Sequence, residues 1–142
     1  MAAPQFSTSG AKNPSKARRR FTLLQANKAL PLVTRIVRDI VNTHERATQL
    51  QAKLEESTGR ETGLQQQLDG ALEQLQDYVD ELGSIGVELK DYETGLIDFP
   101  GRHQGRDIYL CWKLGEDKVD HWHELHSGYA GRQSTSTLEE EE

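Results

Sequence analysis

The chain has 142 residues, 35% of them hydrophobic and 28% charged, with a formal net charge of −6. That length fits one domain with a modest core, and an acidic body argues against nucleic-acid binding, because phosphate contacts need a basic surface. The lone Cys111 excludes an internal disulfide and a multi-cysteine zinc site, and no apolar run reaches the roughly 20 residues that span a bilayer, so a soluble, cytoplasmic protein is expected.

Charge is segregated along the chain. Residues 1–20 hold five basic side chains and no acid, residues 21–138 hold 12 basic against 19 acidic for a net of −7, and the last four residues are all Glu. The first 20 residues, with Phe6 isolated among Ala, Ser and Pro, bury too little apolar surface to offset ordering. They predict a disordered basic arm, solvated rather than bound to nucleic acid or lipid, with no apolar stretch behind it to make a secretory signal. Residues 134–142 predict a disordered acidic tail.

Order is predicted from Phe21. Thr22 followed by Gln25 makes a capping box, with Phe21 as a hydrophobic staple. Pro31 predicts a stop or kink, with a new helix starting there. Apolar residues then recur at helical spacing from Leu32 through Ile36, Ile40, Ala47, Leu50 and Leu54, and again from Leu64 through Leu68, Leu75 and Leu82 to Ile85. Gly83 and Gly86 end this second run.

Two geometries compete for the segment between. A three-four alternation from residue 47 to residue 85 keeps register for one continuous coiled-coil helix, with Ser57 and Glu61 in its seam. Against it, residues 57–63 contain Gly59 and Gly63 and no apolar side chain, and each glycine costs about 1 kcal/mol inside a helix. An antiparallel hairpin over about residues 22–83 buries both stripes within one chain and is favoured.

After Gly86 the period falls to two. Val87-Glu88-Leu89-Lys90 alternates like a half-buried strand. Leu96-Ile97-Asp98-Phe99 follows a turn at Thr94-Gly95 and is expected to close at Pro100-Gly101. Ile108 to Leu114 has the strongest strand composition, and Val119 to Leu125 returns after a turn at residues 115–118. The expected fold is α+β, a long coiled-coil-like helical hairpin followed by a small antiparallel meander over about residues 86–126. Residues 21–133 form its single domain.

Chemistry concentrates in that meander. On the last strand His121 and His123 share one face, a spacing that suits zinc, iron or manganese, while Trp122 and Glu124 share the other. Asp91, Glu93 or Asp98 would supply the third ligand. His123-Glu124-Leu125-His126 is one residue short of the zinc-protease motif and lies on a strand, so that assignment fails. Asp91 and Glu93 sit two apart, as paired carboxylates do, although turn acids simply stay wet. Asp98 between Ile97 and Phe99 needs a partner, for which Arg102, Arg106 and Arg132 are candidates. Cys111, with no base beside it in sequence, reads as a buried inert thiol. Gly128-Tyr129-Ala130-Gly131-Arg132 lacks the spacing of a phosphate loop.

Several segments carry a family resemblance. They are Phe21-Thr22-Leu23, Ala26-Asn27, Leu30-Pro31-Leu32, Gly86 to Asp91, Glu93 to Pro100, Gly105-Arg106, Leu110 to Glu116, Trp122-His123-Glu124 and Gly128 to Arg132. In these the chain resembles the bacterial domain-of-unknown-function family 2203 over about residues 21–133. The resemblance implies a small, soluble, bacterial protein and carries no catalytic assignment. It also implies that a shared site uses His123 with Asp91, Glu93, Asp98 or Glu124, since the position of His121 is typically not histidine in that family.

Two functions follow as expectations. The first is an interaction or ligand-binding module whose hairpin associates with itself or with a partner helix. The alternative is a metal-dependent enzyme, hydrolytic in type, built on His123 with Asp91, Glu93 and Asp98 and holding a divalent metal. The wider candidate cluster adds Arg102, Trp122, Glu124 and Arg132.

Overall fold

A computed structural model describes residues 19–57 and 62–140. Residues 1–18 of the expected basic arm (residues 1–20), residues 58–61 and the last two glutamates lie outside the described residues. Arg19, however, donates to the Ile85 carbonyl at 3.0 Å and Arg20 pairs with Asp107 at 2.9 Å, so the arm's last two residues are fastened. Helix α1 spans Leu23–Glu56 and α2 spans Thr62–Ile85. Strands β1 (Glu88–Asp91), β2 (Leu96–His103), β3 (Arg106–Lys113), β4 (His121–Glu124) and β5 (Gln133–Ser134) form one antiparallel sheet in that order. The two helices pack against each other, so the chain is a helical hairpin followed by an antiparallel meander.

The capping box forms as the sequence predicts. Thr22 Oγ1 accepts from the Gln25 N–H at 3.1 Å, and Gln25 Oε1 accepts from the Thr22 N–H at 2.9 Å. Phe21 packs edge-on against Phe99, with ring centroids 5.1 Å apart. The predicted stop at Pro31 does not occur, and α1 continues past it to Glu56. Pro31 faces solvent while Leu30, Val33, Ile36 and Val37 on either side are buried. Packing on both flanks outweighs the one hydrogen bond that proline removes. At the far end Ser57 caps α1 through its N–H and hydroxyl, both donating to the Leu54 carbonyl.

The hairpin buries its stripe in two places. The main core joins Val33, Ile36, Val37 and Ile40 of α1 and Leu75 and Leu82 of α2 to Ile97, Phe99, Ile108, Leu110, Trp112 and Trp122 of the sheet. A second cluster of Ala47, Leu50, Leu68 and Ala71, edged by Leu54, Leu64 and Leu72, is made by the helices alone. Asn27 ties the two layers: its Oδ1 accepts from the Val119 N–H at 2.8 Å, and its Nδ2 donates to the Val119 carbonyl at 3.2 Å. At Gly95, φ is +72° and a Cβ would stand 2.8 Å from Val37 Cγ1, so only glycine fits where this turn meets α1.

Two boundaries differ from expectation. Strand β2 continues through Pro100 and Gly101 to His103 instead of closing there. The Pro100 carbonyl accepts from the Phe21 N–H at 2.7 Å, away from β3, so the missing proline N–H costs the β2–β3 ladder no bond. The tail is also fastened rather than free. Gln133 and Ser134 pair with Trp122 and His121, and Trp122 Nε1 donates to Thr137 Oγ1 at 3.0 Å. The Glu139 N–H donates to His103 Nδ1 at 2.9 Å, and a Glu140 carboxylate oxygen accepts from the Leu23 N–H at 2.7 Å. An acidic side chain at a helix N-terminus meets unpaired N–H groups and the positive end of the helix dipole. Tertiary placement gives the tail these partners, which composition does not reveal.

Candidate functional site

Alternation along the strands divides the sheet into two unlike faces. Ile97, Phe99, Leu110, Trp112 and Trp122 point into the core with the helices. Their neighbours point the other way. Strand register sets Glu88, Asp98, Cys111 and His121 side by side in one row, with Tyr109 opposite His123 beside it. This face is polar, yet Asp98, Cys111 and His123 are only 3%, 0% and 2% exposed.

His123 is the hub. Its Nε2 lies 3.0 Å from Asp98 Oδ1, and its Nδ1 lies 2.7 Å from the Glu124 carbonyl oxygen. A carbonyl only accepts, so Nδ1 carries a proton, and the second proton is shared between Nε2 and the carboxylate. Burial alone would lower the imidazole pKa. The bonds to Asp98, to Cys111 and to the Glu124 carbonyl outweigh it and raise the value to about 10. At neutral pH the pair is an imidazolium held by a carboxylate. Asp98, Cys111 and His123 each offer one ligand atom, all within 4.8 Å of one another, and among the described residues no other such group of three comes together.

Ion pairs flank this hub. On one side Tyr109 Oη donates to the Glu88 carboxylate at 3.1 Å, and Lys90 Nζ reaches the same group at 3.0 Å. On the other, Arg132 forks onto Glu116 at 2.8 and 2.7 Å while its Nη2 reaches the Cys111 carbonyl at 3.3 Å. Burial works to raise the Glu116 carboxyl pKa, but the Arg132 fork and the Lys113 N–H hold it below the ordinary carboxylate value. Tyr129 lies under the Arg132 and Lys113 cations, with centroid distances of 4.7 and 5.1 Å.

The predicted site residues separate. Asp98 and His123 meet, and the partner Asp98 needs is that histidine rather than an arginine. Asp91 instead accepts from the Thr94 N–H and hydroxyl and closes the β1–β2 turn, where Glu93 stands exposed. Arg102 faces Asp107 at 3.8 Å, and Arg106 pairs with Glu124. Trp122 belongs to the core face, and Glu124 contributes its carbonyl to His123. His121 sits opposite Cys111, its Nδ1 buried without a hydrogen-bond partner. Cys111, Tyr109, Glu88 and Glu116 were missed as members of this face. The alternation of Val87-Glu88-Leu89-Lys90 was the one usable signal, because the rest depends on register.

The hairpin carries a second candidate surface. On α1, Lys28, Arg35, Arg46 and Lys53 recur at spacings of 7, 11 and 7 and are all exposed, Arg46 on a flank that borders α2. Helix α2 has five acids (Asp69, Glu73, Asp77, Asp80 and Glu81), all exposed, and no basic residue. Among the described residues none of these nine charges forms an ion pair. An open cavity of about 330 Å³ lies beside Gly70, lined by Arg46, Gln67, Glu73, Gln74 and Asp77. A Cβ on Gly70 would meet nothing within 4 Å, so packing within this chain gives no reason for glycine there.

Fold and site define a small α+β protein with a helical hairpin and a buried Asp–Cys–His cluster on the sheet. The chain belongs to the family of uncharacterized conserved proteins DUF2203, whose match covers residues 19–135. No curated protein and no solved structure matches it. Among the described residues no helix is long and apolar enough to cross a membrane.

Proposed function

We propose that this protein is an interaction module that self-associates, the acidic outer face of α2 in one copy docking on the basic outer face of α1 in another. Charge complementarity between two unpaired stripes carries the proposal. Helix α2 carries a net charge of −5, from five acids and no base, and α1 carries +1, from five bases and four acids. Like charges four apart, such as Asp69, Glu73 and Asp77, repel by about 0.2–0.5 kcal/mol per pair until an opposite charge arrives. Gly70 supports the same geometry, because it lets a second helix approach closely at a mid-helix cost of about 1 kcal/mol.

The hydrolase alternative draws less support. The residues that do meet, Asp98, Cys111 and His123, are at most 3% exposed, which leaves a substrate no approach.

Light scattering over a concentration series at low and high salt tests the proposal. Association is expected to grow with concentration and to weaken as salt screens the stripes over a Debye length of about 10 Å at 0.1 M. Glu73→Lys with Asp77→Lys is expected to give a monomer. A wild-type monomer at every concentration and salt overturns self-association and leaves a foreign basic helix as the occupant of α2.

A further inference from the structure

We propose that Asp98, Cys111 and His123 bind a divalent transition-metal ion of the zinc class. The site is independent of the hairpin's assembly, since its three residues lie on β2, β3 and β4. Thiolate, imidazole and carboxylate are the donors zinc takes, and here their ligand atoms already lie within 4.8 Å of one another. The outer shell is also in place. A metal-bound histidine generally donates its other ring N–H to a carbonyl or carboxylate, and His123 Nδ1 holds the Glu124 carbonyl at 2.7 Å. His121, opposite Cys111 in the same row, has a buried Nδ1 without a hydrogen-bond partner but stands outside this group of three.

Stability alone is a poor reason for these residues. A buried ion pair is commonly no more stable than apolar side chains of the same volume, so three ionisable groups gathered beneath this face point to a ligand. Charge balances when the ion binds. The carboxylate, imidazolium and thiol sum to zero, as do the ion, carboxylate, neutral imidazole and thiolate. Two protons leave, one from the Cys111 thiol and one from the His123–Asp98 pair. Because the residues are closed off from solvent, the ion enters as the sheet folds, as at structural zinc sites.

The test is refolding of the untagged full chain from denaturant with cobalt or zinc. With cobalt, a thiolate-to-metal charge-transfer band saturating at one ion per chain is expected. With free zinc a hundredfold above its Kd, the unfolding midpoint is expected to rise by about 5–10 °C. Cys111→Ser keeps the Asp98–His123 pair and serves as the folded control, losing the cobalt band and most of the zinc shift. Absence of a band and a shift in folded wild-type protein overturns the site, as does an equal zinc shift in Cys111→Ser.

Discussion

The two ends of the helical hairpin use the same apolar periodicity and meet different fates. Near the sheet, Ile36, Ile40, Leu75 and Leu82 are 0–2% exposed and share a core with two tryptophans. Beyond His44, whose ring stacks on Tyr92 with centroids 5.0 Å apart, the helices have only each other. There Leu50 and Leu68 remain 6% and 5% exposed. Periodicity therefore shows which face a helix buries and not what it is buried against. A hairpin that continues past its sheet presents helix surface that the fold of one chain does not need.

The largest expected effect lies under the sheet. Asp98→Ala strands a buried imidazolium and should cost about 3–5 kcal/mol in urea unfolding. Replacing both partners, with Asp98→Leu and His123→Leu, should recover most of that loss, because no unpaired charge remains. If the double variant is as unstable as the single, the pair is not the cause. Next come the two ends of the hairpin. Leu75→Ala should fall near the top of the 2–5 kcal/mol range for core leucines and Leu68→Ala near the bottom, where the thinner cluster relaxes more easily. Equal losses would erase the distinction between the ends.

Smaller is the acid limb of stability. The Glu116 carboxyl is held below its ordinary value of 4.5, so its contribution is complete above that pH and is lost as pH falls through the depressed value. Glu116→Gln should lower stability at neutral pH and flatten that limb in an unfolding titration, so that variant and wild type converge at low pH. Smallest is Gly70→Ala. In dilute solution it should raise stability by up to about 1 kcal/mol through helix propensity, while sedimentation shows weaker association.

Much of this fold is legible in the sequence. Thr22 with Gln25 announces the start of α1, the polar glycine-containing segment after Glu56 announces its end, and the change of period after Gly86 announces the sheet. Pro31 misled, because its local cost is small beside the burial of Leu30 and Val33 around it. The tail misled, because Glu140 and Thr137 take partners more than 10 residues away in sequence. Of the candidate site, Asp98 was legible as a carboxylate among apolar neighbours that needs a partner, and His123 as an imidazole on a strand face shared with His121. Asp91 and Glu93 looked equivalent to Asp98 by composition, but the turn at Gly95 turns them away from the row. Cys111 joins only through the β2–β3 and β3–β4 registers, which no local pattern encodes.

Self-association through opposite stripes is tested most directly by sedimentation velocity on charge-reversed chains, alone and mixed. One chain carries Glu73→Lys and Asp77→Lys on α2; the other carries Arg46→Glu and Lys53→Glu on α1. Each alone loses attraction between copies and should sediment as a monomer. Mixed in equal amounts, the two should regain association, because the two introduced lysines on α2 of one now meet the two introduced glutamates on α1 of the other. Two chains that stay monomeric when mixed, or that associate alone as strongly as wild type, would contradict the account.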